Sequence, residues 1–386
     1  MGFSLALLLA YALASEPTLA PPGALEMPVR AVDHVAVAET VEEGTVCVGC
    51  GPYRRTIFRS GPWVREDRVY ADRSQSAYSD FASGTTFMVE RDAAGVARSL
   101  SVERLRAASE SRMLRRERTG ARGDALGEVC EVWTIGGFYH RQESCETSDG
   151  VQLWSRDLYS NGTVYRSTRI VSLERRPVAA QEVRPPAQFF RLVSHPAVAA
   201  PAPNSPSFEV RLAATGSDEV REEVLRARGN LGGGYRIYDD GARFGWGHDG
   251  ALEFSYRIEA ERPVRLLIQP VEWGLARVGL ARAQVLRDRW KPVPGRRPRR
   301  VLGETCTWQQ DSAIRSTDVR HQCRTTDGIP LMIHIDWHSD SRDSLYRARS
   351  FSRRPPDLSA FQVPAEAMDW ATWGVEPPPA PSLPGG

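Results

Sequence analysis

Six cysteines carry the most specific chemistry in this sequence. They fall as three close pairs: Cys47 and Cys50, Cys130 and Cys145, Cys306 and Cys323. A cysteine can ligate a metal, exchange electrons or close a disulfide, and spacing separates these uses. The midpoint of Cys130 and Cys145 lies between Gly137 and Phe138, in the turn-like Ile135-Gly-Gly-Phe-Tyr-His140. Pairing 131–135 with 140–144 as a hairpin about that turn sets the two cysteines opposite each other, within disulfide reach. Cys306 and Cys323 centre likewise on Ile314-Arg315. Two cross-strand disulfides are expected, each closing a loop worth about 3 kcal/mol in the chain-entropy model. Cys47-Val-Gly-Cys50 has the spacing of a thiol-disulfide centre, but Gly51-Pro52 stands where such a centre would begin a helix. It is read as a third, local disulfide.

Histidine and carboxylate chemistry is thinner. His334, Asp336 and His338 stand at every second residue, so a strand would turn all three to one face, where they could chelate a metal. The alternative is a half-buried strand with Ile333, Ile335 and Trp337 facing the core, and this reading is preferred, with no metal and no cofactor assigned. Asp149-Gly150 and Asp327-Gly328 are hairpin-turn signals. Glu128 and Glu304, like Arg176 and Arg354, recur together, as a shared pairing or cavity would require, although duplication alone also explains them. Gly295-Arg-Arg-Pro-Arg-Arg300 is the densest basic run, suited to a solvated loop or to anionic headgroups. No P-loop, G-x-S-x-G, H-E-x-x-H or G-x-G-x-x-G is present, and no catalytic residue is assigned.

The elements that must position these groups read mainly as β. Residues 86–91, the turn 92–95 and 96–102 give strand, turn, strand, and 252–258 alternates strictly. Three stretches read as helices: 103–118, 217–228 and 275–289.

A duplication organises the chain. Leu126-Gly-Glu-Val-Cys130 matches Leu302-Gly-Glu-Thr-Cys306 at an offset of 176. Cys145-Glu-Thr-Ser-Asp-Gly150 matches Cys323-Arg-Thr-Thr-Asp-Gly328, and Arg175-Arg-Pro177 matches Arg353-Arg-Pro355, both at 178. A period of this size is a repeated domain. The earlier halves align only weakly, with 59–65 set against 239–245. The division read from this is a signal peptide 1–14, an extension 15–52 holding the C-x-x-C, a β-rich copy 53–193, a Pro/Ala linker 194–206, a second copy 207–370 and a disordered tail 371–386. Ala12-Leu-Ala14 gives the cleavage pattern, so export to the periplasm or beyond is expected, which suits disulfides. Across 386 residues, 50 basic and 48 acidic side chains leave a net charge of +2, which lacks a nucleic-acid binder's footprint. After cleavage no apolar run is long enough for a membrane anchor.

Tandem exported β-domains, each with G-E-x-C…C-x-T-x-D-G-[VI]-x-L and a later R-R-P, resemble proteobacterial periplasmic proteins of the lipoprotein-localisation-factor type. The resemblance covers 53–190 and 207–368. It implies a curved antiparallel sheet or open half-barrel in each copy, with one or two covering helices, among them 103–118 and 275–289 as lids. It also implies a non-catalytic function: binding a lipid, a lipoprotein or another apolar ligand. The alternative is a cell-envelope protein-protein interaction module.

Overall fold

Short alternating segments punctuated by Gly, Pro and Asp-Gly turns give strands, and strands are almost all the regular structure among the described residues. The computed structural model describes residues 32–42, 52–104, 115–136, 140–193, 207–215, 220–229, 231–248, 252–270, 290–311, 319–336 and 343–378. The first half holds β1 (His34–Glu42), β2 (Tyr53–Ser60), β3 (Trp63–Val69), β4 (Arg73–Asp80), β5 (Thr85–Asp92), β6 (Ala97–Arg104), β7 (Arg115–Ala125), β8 (Glu128–Gly136), β9 (His140–Glu146), β10 (Gln152–Tyr159) and β11 (Val164–Glu174). The second half holds β12 (Ser207–Ala214), β13 (Val220–Arg228), β14 (Leu231–Tyr238), β15 (Arg243–His248), β16 (Leu252–Glu259), β17 (Arg262–Pro270), β18 (Trp290–Pro292), β19 (Arg299–Val301), β20 (Glu304–Asp311), β21 (Val319–Arg324), β22 (Pro330–Asp336) and β23 (Asp343–Ser352). Among the described residues the single α-helix, α1 (Ala180–Val183), is four residues long; the remaining helical turns are 3-10.

Contacts divide the chain into two compact units, Met1–Thr86 with Arg104–Pro185, and Phe87–Glu103 with Pro186–Gly386. In the first unit the antiparallel order is β4-β3-β2-β1-β11-β10-β9-β8-β7. In the second it is β17-β16-β15-β14-β13-β12-β23-β22-β21-β20, with β18 and β19 both on β20. The register repeats as well. Ala36 pairs with Leu173 and Ile57 as Val210 pairs with Phe351 and Leu225. A bulge follows Val37 in one and Arg211 in the other. A bulge is a local two-against-one irregularity, so its recurrence at matching sites ties the two sheets together.

The units do not follow the repeat boundary. The hairpin of β5 and β6 belongs with the second unit, where β6 pairs antiparallel with β17 (Leu266 with Val102, Ile268 with Leu100). Phe87 of that hairpin packs edge-on to Phe189 at 5.5 Å and lies 5.1 Å from Trp370. The chain also remains packed beyond residue 370. Trp373 is fully buried, its Nε1 donates to the Ala367 carbonyl at 3.0 Å, and Val375 is buried. At the other end, β1 lies inside the extension 15–52. Its inward residues Ala36 and Ala38 are small, which kept the pattern faint.

Two sequence expectations are corrected. The described part of 217–228 is not a helix: 220–228 form β13, paired along both edges, with Val220 and Val224 both buried, on opposite sides of a bulge. The alignment of 59–65 with 239–245 is off by one hairpin. Gly61, at φ +55°, turns β2 into β3 as Gly229, at φ +68°, turns β13 into β14. Of 103–118, the described ends are strand in β6 and β7; 105–114 and 271–289, with the remaining helix reading, lie outside the described residues.

Candidate functional site

The described cysteines form two disulfides. Cys130 joins Cys145 with Cα atoms 5.3 Å apart, and Cys306 joins Cys323 at 5.2 Å. The hairpin register differs from the sequence expectation in both copies. Val132, not Cys130, opposes Cys145, and Trp308, not Cys306, opposes Cys323. Each bond is thus diagonal by two residues across its hairpin. Cys47 and Cys50 lie outside the described residues.

Beside each disulfide stands an arginine clasp. Arg175 makes two parallel hydrogen bonds to Glu128, at 2.7 and 2.6 Å, and its Nε donates to Asp149 at 2.6 Å. Arg353 repeats this with Glu304 at 3.0 Å and Asp327 at 2.8 Å. The partner of Glu128 and Glu304 is therefore the first arginine of each Arg-Arg-Pro, not Arg176 or Arg354; Arg176 pairs with Glu182 at 3.0 Å. Asp149 and Asp327 start their turns with Thr147 and Thr325, and Gly150 and Gly328 supply φ +83° and +84°. Hydrogen bonds from Arg175 hold the Glu128 and Asp149 carboxyls below their ordinary range, and Arg353 does the same for Asp327. Each clasp ties the end of a long strand to two hairpins, its guanidinium neutralised by two carboxylates.

The inner sheet face next to the first clasp is charged. Arg55, Glu66 and Arg68 lie on it, with Glu66 accepting from Arg68 at 2.5 Å and lying 3.5 Å from Arg55. Asp157 accepts from Arg166 at 2.5 Å. Burial pushes the Glu66 carboxyl up, but Arg55, Arg68 and Arg166 outweigh it and hold it below the usual range.

An open groove of 480 Å³ lies along β10 and β11, with Trp154, Arg156, Ser167, Arg169 and Asp124 in its lining. Trp154 opposes Arg169, and Arg156 opposes Ser167, so strand alternation sets these four on one face. The Arg156 guanidinium stacks 5.2 Å from the Trp154 ring centroid. Arg156 and Arg169 are exposed, and neither forms an ion pair among the described residues. No sequence motif marks this site, because its residues are interleaved on two strands. A second hollow, of 550 Å³, is lined by Glu209, Arg226 and Arg354 among others, and there Arg226 is already held by Glu209 at 2.8 Å.

His334 lies on β22, where Arg296 Nη2 donates to its Nδ1 at 3.2 Å. A guanidinium on a ring nitrogen is a poor neighbour for a divalent cation. Asp336 pairs through its backbone with Val319 and Asp343, and His338 lies outside the described residues. No metal-holding cluster occurs among the described residues, and no described helix is long and apolar enough to cross a membrane.

No family model and no curated protein sequence matches the chain. Solved structures do. MucB in complex with MucA(peri) is 11% identical over 86% of this chain and 91% of that one, with a TM-score of 0.28. The Pseudomonas aeruginosa MucA/MucB complex is 12% identical over 86% and 91%, at 0.29. A domain described as an outer membrane lipoprotein-sorting protein domain, from Vibrio parahaemolyticus, is 10% identical over 39% and 89%, at 0.17. Likenesses at such TM-scores assign neither a family nor a function to this chain.

Proposed function

We propose that this chain is an exported, non-catalytic binding protein whose first unit takes an acidic segment of a partner protein in the groove along β10 and β11. The observation that carries this reading is the pair of exposed arginines, Arg156 and Arg169, flanking Trp154 with no acidic side chain paired to them among the described residues. Arginine and tryptophan are the residue types over-represented at energetic centres of protein interfaces. A guanidinium stacked on an indole is held in place for a bidentate carboxylate contact. The two disulfides fit an oxidising compartment.

The test is a photo-crosslinking residue at Ser167 in the periplasm of the producing cell. A discrete protein adduct is expected, lost in R156E/R169E and retained in the clasp variant R175A. Absence of any adduct, or an adduct indifferent to R156E/R169E, would overturn the reading.

A second reading, a lipid, lipoprotein or other apolar ligand, rests on the second unit. Val210, Leu212, Ile333, Ile335 and Tyr346 share one apolar sheet face there. Native mass spectrometry with solvent extraction separates the two. A co-purifying acyl species lost on unfolding supports the second reading; a bare mass removes it.

A further inference from the structure

Many arginines of this protein are neutralised by a neighbouring carboxylate. Arg65, Arg68, Arg98, Arg166, Arg175, Arg226, Arg236 and Arg353 all sit in ion pairs. The segment from Trp290 to Gly303 has no such pair among the described residues. It carries Lys291, Arg296, Arg297, Arg299 and Arg300 and no acidic residue. All five side chains are exposed. Their contacts among the described residues include no carboxylate: Arg296 stacks 4.7 Å from the Trp308 ring centroid and donates to His334 Nδ1 at 3.2 Å, and Arg300 Nε donates to the Gly303 carbonyl at 3.2 Å. No acid stands directly opposite a basic residue: Lys291 faces Gln310, Arg299 faces Cys306 and Arg300 faces Thr305, while the two acids of β20, Glu304 and Asp311, face Val301 and Trp290, and Glu304 is held by Arg353. In a chain of net charge +2, this is a concentrated positive field on one hairpin.

The same hairpin ends in an exposed apolar tip. Leu302 is 48% exposed and holds φ +52°, a conformation that costs a leucine steric strain. The first repeat supplies an internal control. Its matching tip, Leu126, is 46% exposed at φ +54°. The matching segment leading to it, 114–125, carries Arg115, Arg116, Arg118 and Arg122 but also Glu117 and Asp124, and Arg118 is paired with Glu131. Both tips thus present a leucine, and only one adds a basic flank without acids.

We infer that the hairpin of β19 and β20, with the segment leading into it, docks on an anionic phospholipid surface, the arginines meeting headgroup phosphates and Leu302 entering the interfacial layer. Each basic side chain near such a surface contributes about 1 kcal/mol, so four or five together suffice for reversible attachment. Guanidinium forks match phosphate oxygens, and a leucine at a protruding turn adds apolar burial that lysine-rich loops lack. This surface belongs to the second unit and does not depend on the groove of the first.

The experiment is co-sedimentation of the mature full-length protein with vesicles of phosphatidylglycerol and phosphatidylcholine, against phosphatidylcholine alone. The wild-type protein should sediment with the anionic vesicles only, and release as salt rises. R296Q/R297Q/R299Q/R300Q should lose roughly 100-fold or more in vesicle affinity. R297Q/R299Q, which keeps the contacts of Arg296 and Arg300, should lose about 10-fold or more on the same scale. L302S should weaken attachment several-fold, while L126S leaves it unchanged. Equal unfolding midpoints would show that the variants are folded. Failure of the wild-type protein to bind anionic vesicles, equal binding to neutral ones, undiminished binding by the quadruple variant, or binding to heparin without binding to vesicles would each overturn the inference.

Discussion

The two repeats share a strand order and a register yet line equivalent sheet faces with opposite chemistry. In the first, Ser155, Asp157, Arg166 and Thr168 stand where the second has Ile333, Ile335, Ser344 and Tyr346. Next to Ala38 the first places Arg55 opposite Arg68; next to Leu212 the second places Glu223 opposite Arg236. Two cross-strand arginines repel, and Glu66 relieves them; its counterpart in the second repeat is Gly234, where Glu223 and Arg236 already neutralise each other across 3.2 Å. What stayed the same is equally informative: the disulfide, the clasp, the Asp-Gly turn and the Leu-Gly tip. The hairpin end is kept as the frame, and the sheet face is where the copies diverged.

The sharpest way to break this comparison is to move one residue between copies. Ile335→Asp places the first repeat's Asp157 in the second, in a site 7% exposed with Ser344 in place of an arginine. A buried unpaired carboxylate should cost about 3–5 kcal/mol in chemical unfolding. Ile335→Asp with Ser344→Arg should recover part of that loss by rebuilding the Asp157–Arg166 pair. No recovery would mean that the two faces are not interchangeable.

Next in size are the disulfides. Cys130→Ser with Cys145→Ser, and separately Cys306→Ser with Cys323→Ser, should each cost about 3 kcal/mol, read by urea unfolding, because the loops span 15 and 17 residues. A large difference between the two would show that one hairpin matters more to its unit.

The smallest effect belongs to the clasps. Arg175→Ala and Arg353→Ala should each cost about 1 kcal/mol near neutral pH, since these pairs are largely exposed. The sign with pH follows from the carboxyls. Glu128, Asp149 and Asp327 are held below their unfolded values, so their contribution is full above the ordinary carboxylate range and disappears as pH falls through the lowered values. The gap between wild type and Arg175→Ala should therefore close in acid. A gap independent of pH would show that Arg175 acts by packing alone.

Much of the frame could be read in advance. Period-2 runs at 86–91, 96–102 and 252–258 became β5, β6 and β16, and the cysteine spacing located both hairpins, although with the register one step out on each strand. The step was missed because the diagonal partners Cys130 and Cys145 lie close enough for bonding without being opposed. β13 was misread because Val220-Arg-Glu-Glu-Val-Leu carries apolar residues at helical spacing; pairing with β12 and β14 overrides that preference.

By itself the sequence determined that this is a duplicated, mainly β protein with disulfide-stapled hairpins, because turns, alternation and cysteine spacing are local signals. Only the tertiary structure decided which arginines are neutralised and which remain open. Arg175 and Arg297 look alike in a one-dimensional string. A carboxylate brought beside the first from a strand 47 residues away, and none beside the second among the described residues, is a matter of pairing between distant strands. The same holds for the hairpin of β5 and β6, which the repeat assigns to one copy and edge pairing with β17 assigns to the other unit.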